Sequence, residues 1–310
     1  MKIVLAGPRG FCAGVNMAIE SLERALAAFG APVYVYHEIV HNRHVVDGFR
    51  RRGAVFVESI AEVPTGGCLM YSAHGVSPAV REAARQRGLR VIDATCPLVR
   101  KVHWEAQRFA AAGFTIVLIG HRGHDEVVGT LGEAPDQMRL VETPDDVEAL
   151  DVPDPDKVAY LTQTTLSVDD ANQIVERIRH RFPRAVGSAK EDICYATQNR
   201  QEAVKTLLAE NDVVLVVGSH NSSNSNRLVE VAREQHRPAH LVDDEQELEL
   251  DWFTDDDNVL VTAGASAPEE LVSECVAWLQ RHFQATVEER SLRNEHVEFP
   301  LPPELRQSHR

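Results

Sequence analysis

The sequence predicts an α/β protein built on small, mostly parallel sheets. Two observations carry this. Short runs of β-branched and other apolar residues recur along the chain and end abruptly in small, polar or histidine residues, and most of these runs are followed by a helical pattern. Continuously apolar short strands alternating with helices mark parallel sheets covered on both faces.

In chain order, residues 2–6 read as the first strand, running into Gly-Pro-Arg-Gly-Phe-Cys. Ile19, Leu22, Leu26 and Phe29 then recur at helical spacing ahead of Gly30, a C-terminal stop. Strands follow at 33–36, 68–71, 91–92, 115–119, 158–161, 213–217 and 259–261. Ser77-Pro78, Cys96-Pro97 and Ala267-Pro268 place Pro at the first helical position, where its missing N–H costs nothing. Ser167 with Asp170 reads as a capping box. The acidic, Pro-containing stretch 143–156 reads as an exposed loop, and apolar periodicity lapses from Pro183 to Asp192. From about Ala285 the chain turns charged and proline-rich and reads as a tail.

With 310 residues, two or three small domains or one large α/β unit are expected. No apolar run approaches the ~20 residues that span a bilayer, and the apolar start is too short for the core of a signal peptide. A cytoplasmic protein with no membrane role is expected. A net charge of −15 argues against nucleic acid or an anionic membrane as the main partner. Five cysteines in such a chain are expected to be reduced thiols, available for packing, catalysis or metal.

In open α/β sheets, ligands bind outside the carboxyl ends of the strands. Cys12, Cys96, His37, His41, His74, His121, His124 and Glu126 all fall there, with clusters of Ser, Thr and Asn. Cys12, Cys96 and Cys194 each stand at a predicted helix start, where the dipole favours thiolate, the form that ligates metal. Cys68 and Cys275 lack this placement and read as core. Three thiolates would leave one metal position open, as a catalytic site needs. Zinc, copper(I) and iron–sulfur clusters all suit soft sulfur ligands, and the spacing does not choose among them. His41, His74 and His124 can donate hydrogen bonds to an anion, and Ser222, Ser223, Asn224 and Ser266 add neutral donors at helix starts. Glu126 is a candidate proton donor if burial holds its proton near neutral pH. Thr164 and Thr165 suit either positioning a substrate hydroxyl or simply ending a strand.

These residues stand in Gly10-Phe-Cys-Ala-Gly14, Val40-His-Asn42, Ser72-Ala-His-Gly75, Asp93-Ala-Thr-Cys-Pro97, the histidine segment 120–126, Thr162-Gln-Thr-Thr-Leu-Ser167, Asp192-Ile-Cys-Tyr-Ala-Thr197, the Ser/Asn run 218–226 and Thr262-Ala-Gly-Ala-Ser-Ala-Pro268. In order, from residue 1 to about 305, the chain resembles the 4-hydroxy-3-methylbut-2-enyl diphosphate reductases, the LytB or IspH family. The resemblance implies three α/β domains in a pseudo-threefold trefoil around a central cluster cavity: residues 14–96, 97–193, and 1–13 with 194–284, followed by a tail, 285–310. It implies a 4Fe-4S cluster on Cys12, Cys96 and Cys194 with the fourth iron open to the substrate's hydroxyl. It assigns the diphosphate to His41, His74, His124, Ser222, Ser223, Asn224 and Ser266, proton delivery to Glu126, and the hydroxyl and its local hydrogen-bond network to Thr164. The implied reaction is the reductive dehydroxylation that ends the methylerythritol phosphate route to isoprenoids, fed by reduced ferredoxin or flavodoxin. Nothing in the sequence demands more than a monomer.

Overall fold

The computed structural model describes residues 1–306. The first third of the chain runs β1 (Lys2–Gly7), α1 (Ala13–Phe29), β2 (Val33–Tyr36), α2 (Arg43–Arg51), β3 (Ala54–Val57), β4 (Cys68–Tyr71), α3 (Pro78–Gln86) and β5 (Arg90–Asp93). The middle runs α4 (Pro97–Ala111), β6 (Thr115–Ile119), α5 (Asp125–Leu131), β7 (Met138–Val141), α6 (Pro144–Glu148), β8 (Val158–Thr162), α7 (Val168–Arg181) and β9 (Val186–Gly187). The last part runs α8 (Tyr195–Leu207), β10 (Val213–Val217), α9 (Ser223–Glu234), β11 (Ala239–Val242), β12 (Asn258–Ala263), α10 (Glu269–His282), β13 (Thr286–Ser291) and α11 (Pro303–Arg306).

The strands form three sheets, ordered β11-β10-β12-β1-β13, β3-β2-β4-β5 and β7-β6-β8-β9. Every strand pairing among the described residues is parallel. The chain divides into two compact units: residues 1–16, 41–47 and 195–298, holding the five-stranded sheet, and residues 17–40, 48–194 and the described residues from Phe299, holding both four-stranded sheets.

Alternation along the strands explains why their sequences are apolar without a break. In the first unit Ile3, Leu215 and Val261 pack on one side with Leu271, Cys275 and Leu279 of α10, while Val4, Val216 and Leu260 pack on the other with Val204 of α8 and Leu228 of α9. In the second, Ile116 and Leu118 of β6 face Val102 and Phe109 of α4, while Val117 and Ile119 face Ile174 and Ile178 of α7. A strand buried on both faces has no polar side to display. No helix among the described residues is long and apolar enough to cross a membrane.

Local signals set most element ends. Gly30 takes φ 74 and its N–H returns to the Leu26 carbonyl, closing α1. Ser77 and Ser167 cap α3 and α7, with Pro78 opening α3. Pro268 is the N-cap of α10 and not its first helical residue, which is Glu269, one place later than the sequence suggested. The stretch read as an exposed loop contains α6, whose Thr143 and Asp146 form a capping box; five residues are too few to show periodicity. The segment read as a tail from Ala285 begins with β13, which pairs along β1 from Lys2↔Thr286 to Gly7↔Ser291. Thr-Val-Glu-Glu-Arg-Ser is charged because it is an outer strand with exposed side chains, a position that tolerates charge and discourages further pairing. Residues 307–310 of that tail lie outside the described residues.

Candidate active site

In the first unit the loop between β1 and α1 delivers Cys12. Gly10 sits at φ +67, and an added Cβ there would lie 3.3 Å from the Ala267 carbonyl oxygen, so the loop needs glycine both for its backbone and for its approach to the β12–α10 loop. The N–H groups of Gly10 and Cys12 donate to the carbonyls of Ala263 and Ala265 at 3.3 and 3.2 Å. The Ala265 N–H in turn donates to Asn224 Oδ1 at 2.8 Å. One residue, Ala265, thus ties Cys12 to Asn224. Asn224 is buried in the first turn of α9, its amide donating to Thr197 Oγ1 at 3.2 Å. Ser222 caps the same helix, accepting the Ser225 N–H, and Ser223 is its first residue. Ser266 Oγ donates to the His41 carbonyl at 2.9 Å and lies 3.4 Å from Ser222 Oγ. His41 precedes Asn42, whose Oδ1 accepts the Val45 N–H at the start of α2. Cys12, His41, Ser222, Ser223, Asn224 and Ser266 therefore share one neighbourhood, at the start of the 12-residue helix α9. Such a helix start, with hydroxyls and an amide around it, suits an anion.

The second unit assembles the other residues. Cys96 is the N-cap of α4, with Pro97 behind it and no side-chain capping bond. Its N–H donates to the Ala73 carbonyl at 3.0 Å, seating the thiol beside the Ser72–His74 loop. Gly75 turns that loop at φ +79, where a Cβ would press within 3.0 Å of the Thr95 methyl and 3.1 Å of the His103 ring. The His74 ring meets His124 edge-on with centroids 5.9 Å apart. His124 is the N-cap of α5, and its Nδ1 accepts the Glu126 N–H at 3.1 Å. With Nδ1 an acceptor, the proton of the neutral ring belongs on Nε2, which is left as the donor.

Glu126 is 2% exposed, and both of its oxygens are directed at Thr164. Oε1 accepts the Thr164 N–H at 2.6 Å and Oε2 accepts its hydroxyl at 2.8 Å. The Thr164 carbonyl accepts the N–H of Cys194 at 3.0 Å. A buried carboxylate, a threonine hydroxyl and a cysteine at the start of α8 thus form one continuous chain of contacts. Thr165 points elsewhere: its hydroxyl accepts Gln163 Nε2 at 2.8 Å, and Gln163 Oε1 accepts the His121 N–H at 2.9 Å.

The five cysteines form no disulfide. Cys12, Cys96 and Cys194 are partly exposed at helix starts, whereas Cys275 lies in the core beneath β12, where burial pushes its thiol up to about 12. Burial also raises the thiol of Cys68, at the start of β4. A partly exposed thiol at a helix start has the chemistry that soft metals and iron–sulfur groups select, whereas the raised thiols of Cys275 and Cys68 favour the protonated form, which does not ligate.

Asp125 went unnoticed in the sequence. Its Oδ1 lies 2.6 Å from His37 Nδ1, and its other oxygen is 3.9 Å from His74 Nδ1. His37 sits at φ 55 and stacks on Tyr36. The position of Asp125 between His124 and Glu126 was the available signal. The hydrogen bond to Asp125 raises the His37 pKa above the ordinary 6.5, against a smaller opposing effect of burial, with Glu58 contributing at 3.7 Å. A raised folded-state value stabilises below the unfolded value, about pH 6.5, and that stabilisation is lost as pH rises through the folded value. Asp125→Asn is therefore expected to lower the thermal midpoint by about 1–3 °C near pH 5.5 and to leave it unchanged near pH 9. Calorimetry across that range checks it; a constant offset would remove His37 titration as the cause.

A frame in which catalytic-type side chains gather where parallel strands give way to helices is that of an α/β enzyme. Which enzyme follows from comparison with known proteins. The chain belongs to the LytB family, whose model, described as LytB protein, matches residues 3–280. A protein of Rhodopirellula baltica named 4-hydroxy-3-methylbut-2-enyl diphosphate reductase is 60% identical over 306 residues, covering 99% of this chain and 96% of its own length. One of the same name from Azoarcus is 58% identical over 307 residues, covering 99% and 98%. Among solved structures, the E-1-hydroxy-2-methyl-but-2-enyl-4-diphosphate reductase of Plasmodium falciparum matches with a TM-score of 0.95 at 39% identity, over 98% of this chain and 96% of that one. A second, an (E)-4-hydroxy-3-methyl-but-2-enyl diphosphate reductase described as the terminal enzyme of the non-mevalonate pathway, matches with a TM-score of 0.63 at 32% identity, over 91% and 100%.

Proposed function

We propose that this protein converts 4-hydroxy-3-methylbut-2-enyl diphosphate to isopentenyl and dimethylallyl diphosphates in the cytoplasm. Two electrons and two protons enter, the C–O bond to the hydroxyl breaks, a C–H bond forms, and water leaves. The electrons come from reduced ferredoxin or flavodoxin. Family membership and the names of its relatives support the reaction. The observation that carries the mechanism is the buried Glu126 carboxylate accepting both the N–H and the O–H of Thr164, whose carbonyl in turn accepts the Cys194 N–H.

Cys12, Cys96 and Cys194 would hold a 4Fe-4S cluster, with one iron left without a protein ligand. When bound, the cluster supplies single electrons and a Lewis acid for the hydroxyl leaving group.

The remaining roles fall to this chain's side chains. The diphosphate is taken by the start of α9 with Ser222, Ser223, Asn224 and Ser266, and by His41, His74 and the Nε2–H of His124. Binding energy from a group remote from the reacting carbon orients the allylic alcohol. Thr164 holds the alcohol and Glu126 supplies the proton. While Glu126 is ionised, the Thr164 hydroxyl points at Oε2. Once Glu126 is protonated, its O–H donates to Thr164 Oγ and the threonine proton turns toward the substrate oxygen. A proton is thereby handed to the leaving hydroxyl while the Thr164 N–H stays fixed on Oε1.

Protein purified without oxygen is expected to contain iron and sulfide, to absorb broadly in the visible, and to change its paramagnetic-resonance spectrum when the diphosphate substrate is added. Zinc alone, or a spectrum indifferent to substrate, would sink this reading.

A further inference from the structure

Arg200 is fully buried in α8. Its Nη2 donates to the Gly10 carbonyl at 2.6 Å, and its Nη1 donates to Ala196 O at 2.9 Å and to the two oxygens of Glu295 at 3.2 and 3.3 Å. Glu295 lies beyond β13, its side chain 15% exposed, and also accepts Asn199 Nδ2 at 2.9 Å. On the far side of Cys12, the Ala13 N–H donates to Tyr195 Oη at 3.4 Å. Helix α8 thus holds the chain two residues before and one residue after Cys12.

A guanidinium buried this completely is costly unless a carboxylate answers it. It is a strong, directional partner for a single backbone carbonyl. Gly10, at φ +67, has a conformation that nothing in its own side chain fixes. The loop's other backbone bonds, from Gly10 and Cys12 to Ala263 and Ala265, are among its longer ones at 3.3 and 3.2 Å.

We propose that Arg200 and Glu295 are positioning residues for Cys12: Glu295, from the segment after β13, neutralises and orients Arg200, and Arg200 fixes the Gly10 carbonyl so that the Cys12 thiol is presented in place. The inference rests on the reading that Cys12 is a cluster ligand. It gives the segment after β13 a part in the site from which it is distant in sequence.

The test uses the full-length chain, metal-free, with Glu295→Gln as the principal variant, since its amide oxygen can still accept from Asn199 and Arg200. Alkylation by iodoacetamide is followed separately at Cys12, Cys96 and Cys194 by peptide mass spectrometry. Cys12 is expected to react on the order of five- to tenfold faster than in wild type, with Cys96 and Cys194 unchanged, as a local opening of one loop requires. Arg200→Gln, if it folds, should show the larger effect, and Arg200→Lys should partly restore the wild-type rate. Equal acceleration at all three cysteines, or none at Cys12, would overturn the proposal. After anaerobic reconstitution, Glu295→Gln should lose iron to a chelator faster than wild type and show a shifted paramagnetic-resonance spectrum. Wild-type protein that takes up no iron, or whose Cys12 stays as reactive after reconstitution as before, would sink the reading of Cys12 as a ligand. The alkylation comparison would still decide whether Arg200 and Glu295 hold the loop.

Discussion

Glu126→Gln is expected to lower turnover of the diphosphate substrate by roughly 10²–10⁴-fold, the range typical of losing a general acid, while leaving iron content and substrate binding near wild type. The geometry makes this substitution informative. A glutamine keeps the shape of the side chain, and its carbonyl oxygen can still accept the Thr164 N–H that Oε1 accepts at 2.6 Å. Its amide can face Thr164 Oγ, where Oε2 now sits at 2.8 Å, with the hydroxyl turned away. What disappears is a proton that can leave. Glu126→Ala would be harder to interpret, because it strands the buried Thr164 N–H at a cost of about 1–3 kcal/mol in the residue whose carbonyl holds the Cys194 N–H. Single-turnover rates and visible spectra from the same Glu126→Gln sample decide the matter. A colourless protein would make Glu126 a structural support of the Cys194 loop, and undiminished turnover would place the acid elsewhere.

The parallel sheets could be read from the sequence because strands such as Val-Val-Leu-Val-Val at β10 are apolar on both faces, and proline or serine marks the start of several helices. β13 escaped because an outer strand can be charged along its whole length, and α6 because a single capped turn has no period to detect. Of the site, the cysteines and the Ser/Asn helix start are visible as residue types next to helix signals. The pairing of Glu126 with Thr164 is not, since the two are 38 residues apart and meet only when β6 and β8 lie side by side. Arg200 was still further from view. Its sequence context is an ordinary helix, and an arginine there reads as surface until Glu295, 95 residues later, is seen to cover it.

Cys96→Ser should abolish the cluster and all turnover while the metal-free protein stays as stable as wild type or gains slightly. Cysteine at this N-cap makes no side-chain capping bond, and its backbone is extended at φ −55 and ψ 132. Serine is among the preferred N-cap residues and can contribute about 0.5–1 kcal/mol there by accepting an N–H from the first turn of α4. Its hydroxyl is a far poorer ligand for iron than a thiolate, because soft sulfur is what such clusters select. Cys275→Ser should do the reverse. That thiol, on α10, is fully buried against β12, and a hydroxyl in its place costs about 1–3 kcal/mol when left unpaired, with iron content unchanged. The two substitutions are chemically identical and differ only in what surrounds the sulfur. Measuring iron per chain and the thermal midpoint of each variant therefore separates metal ligation from folding. Iron retained in Cys96→Ser would remove it from the ligand set, and iron lost in Cys275→Ser at an unchanged midpoint would mean that the core cysteine had been misassigned.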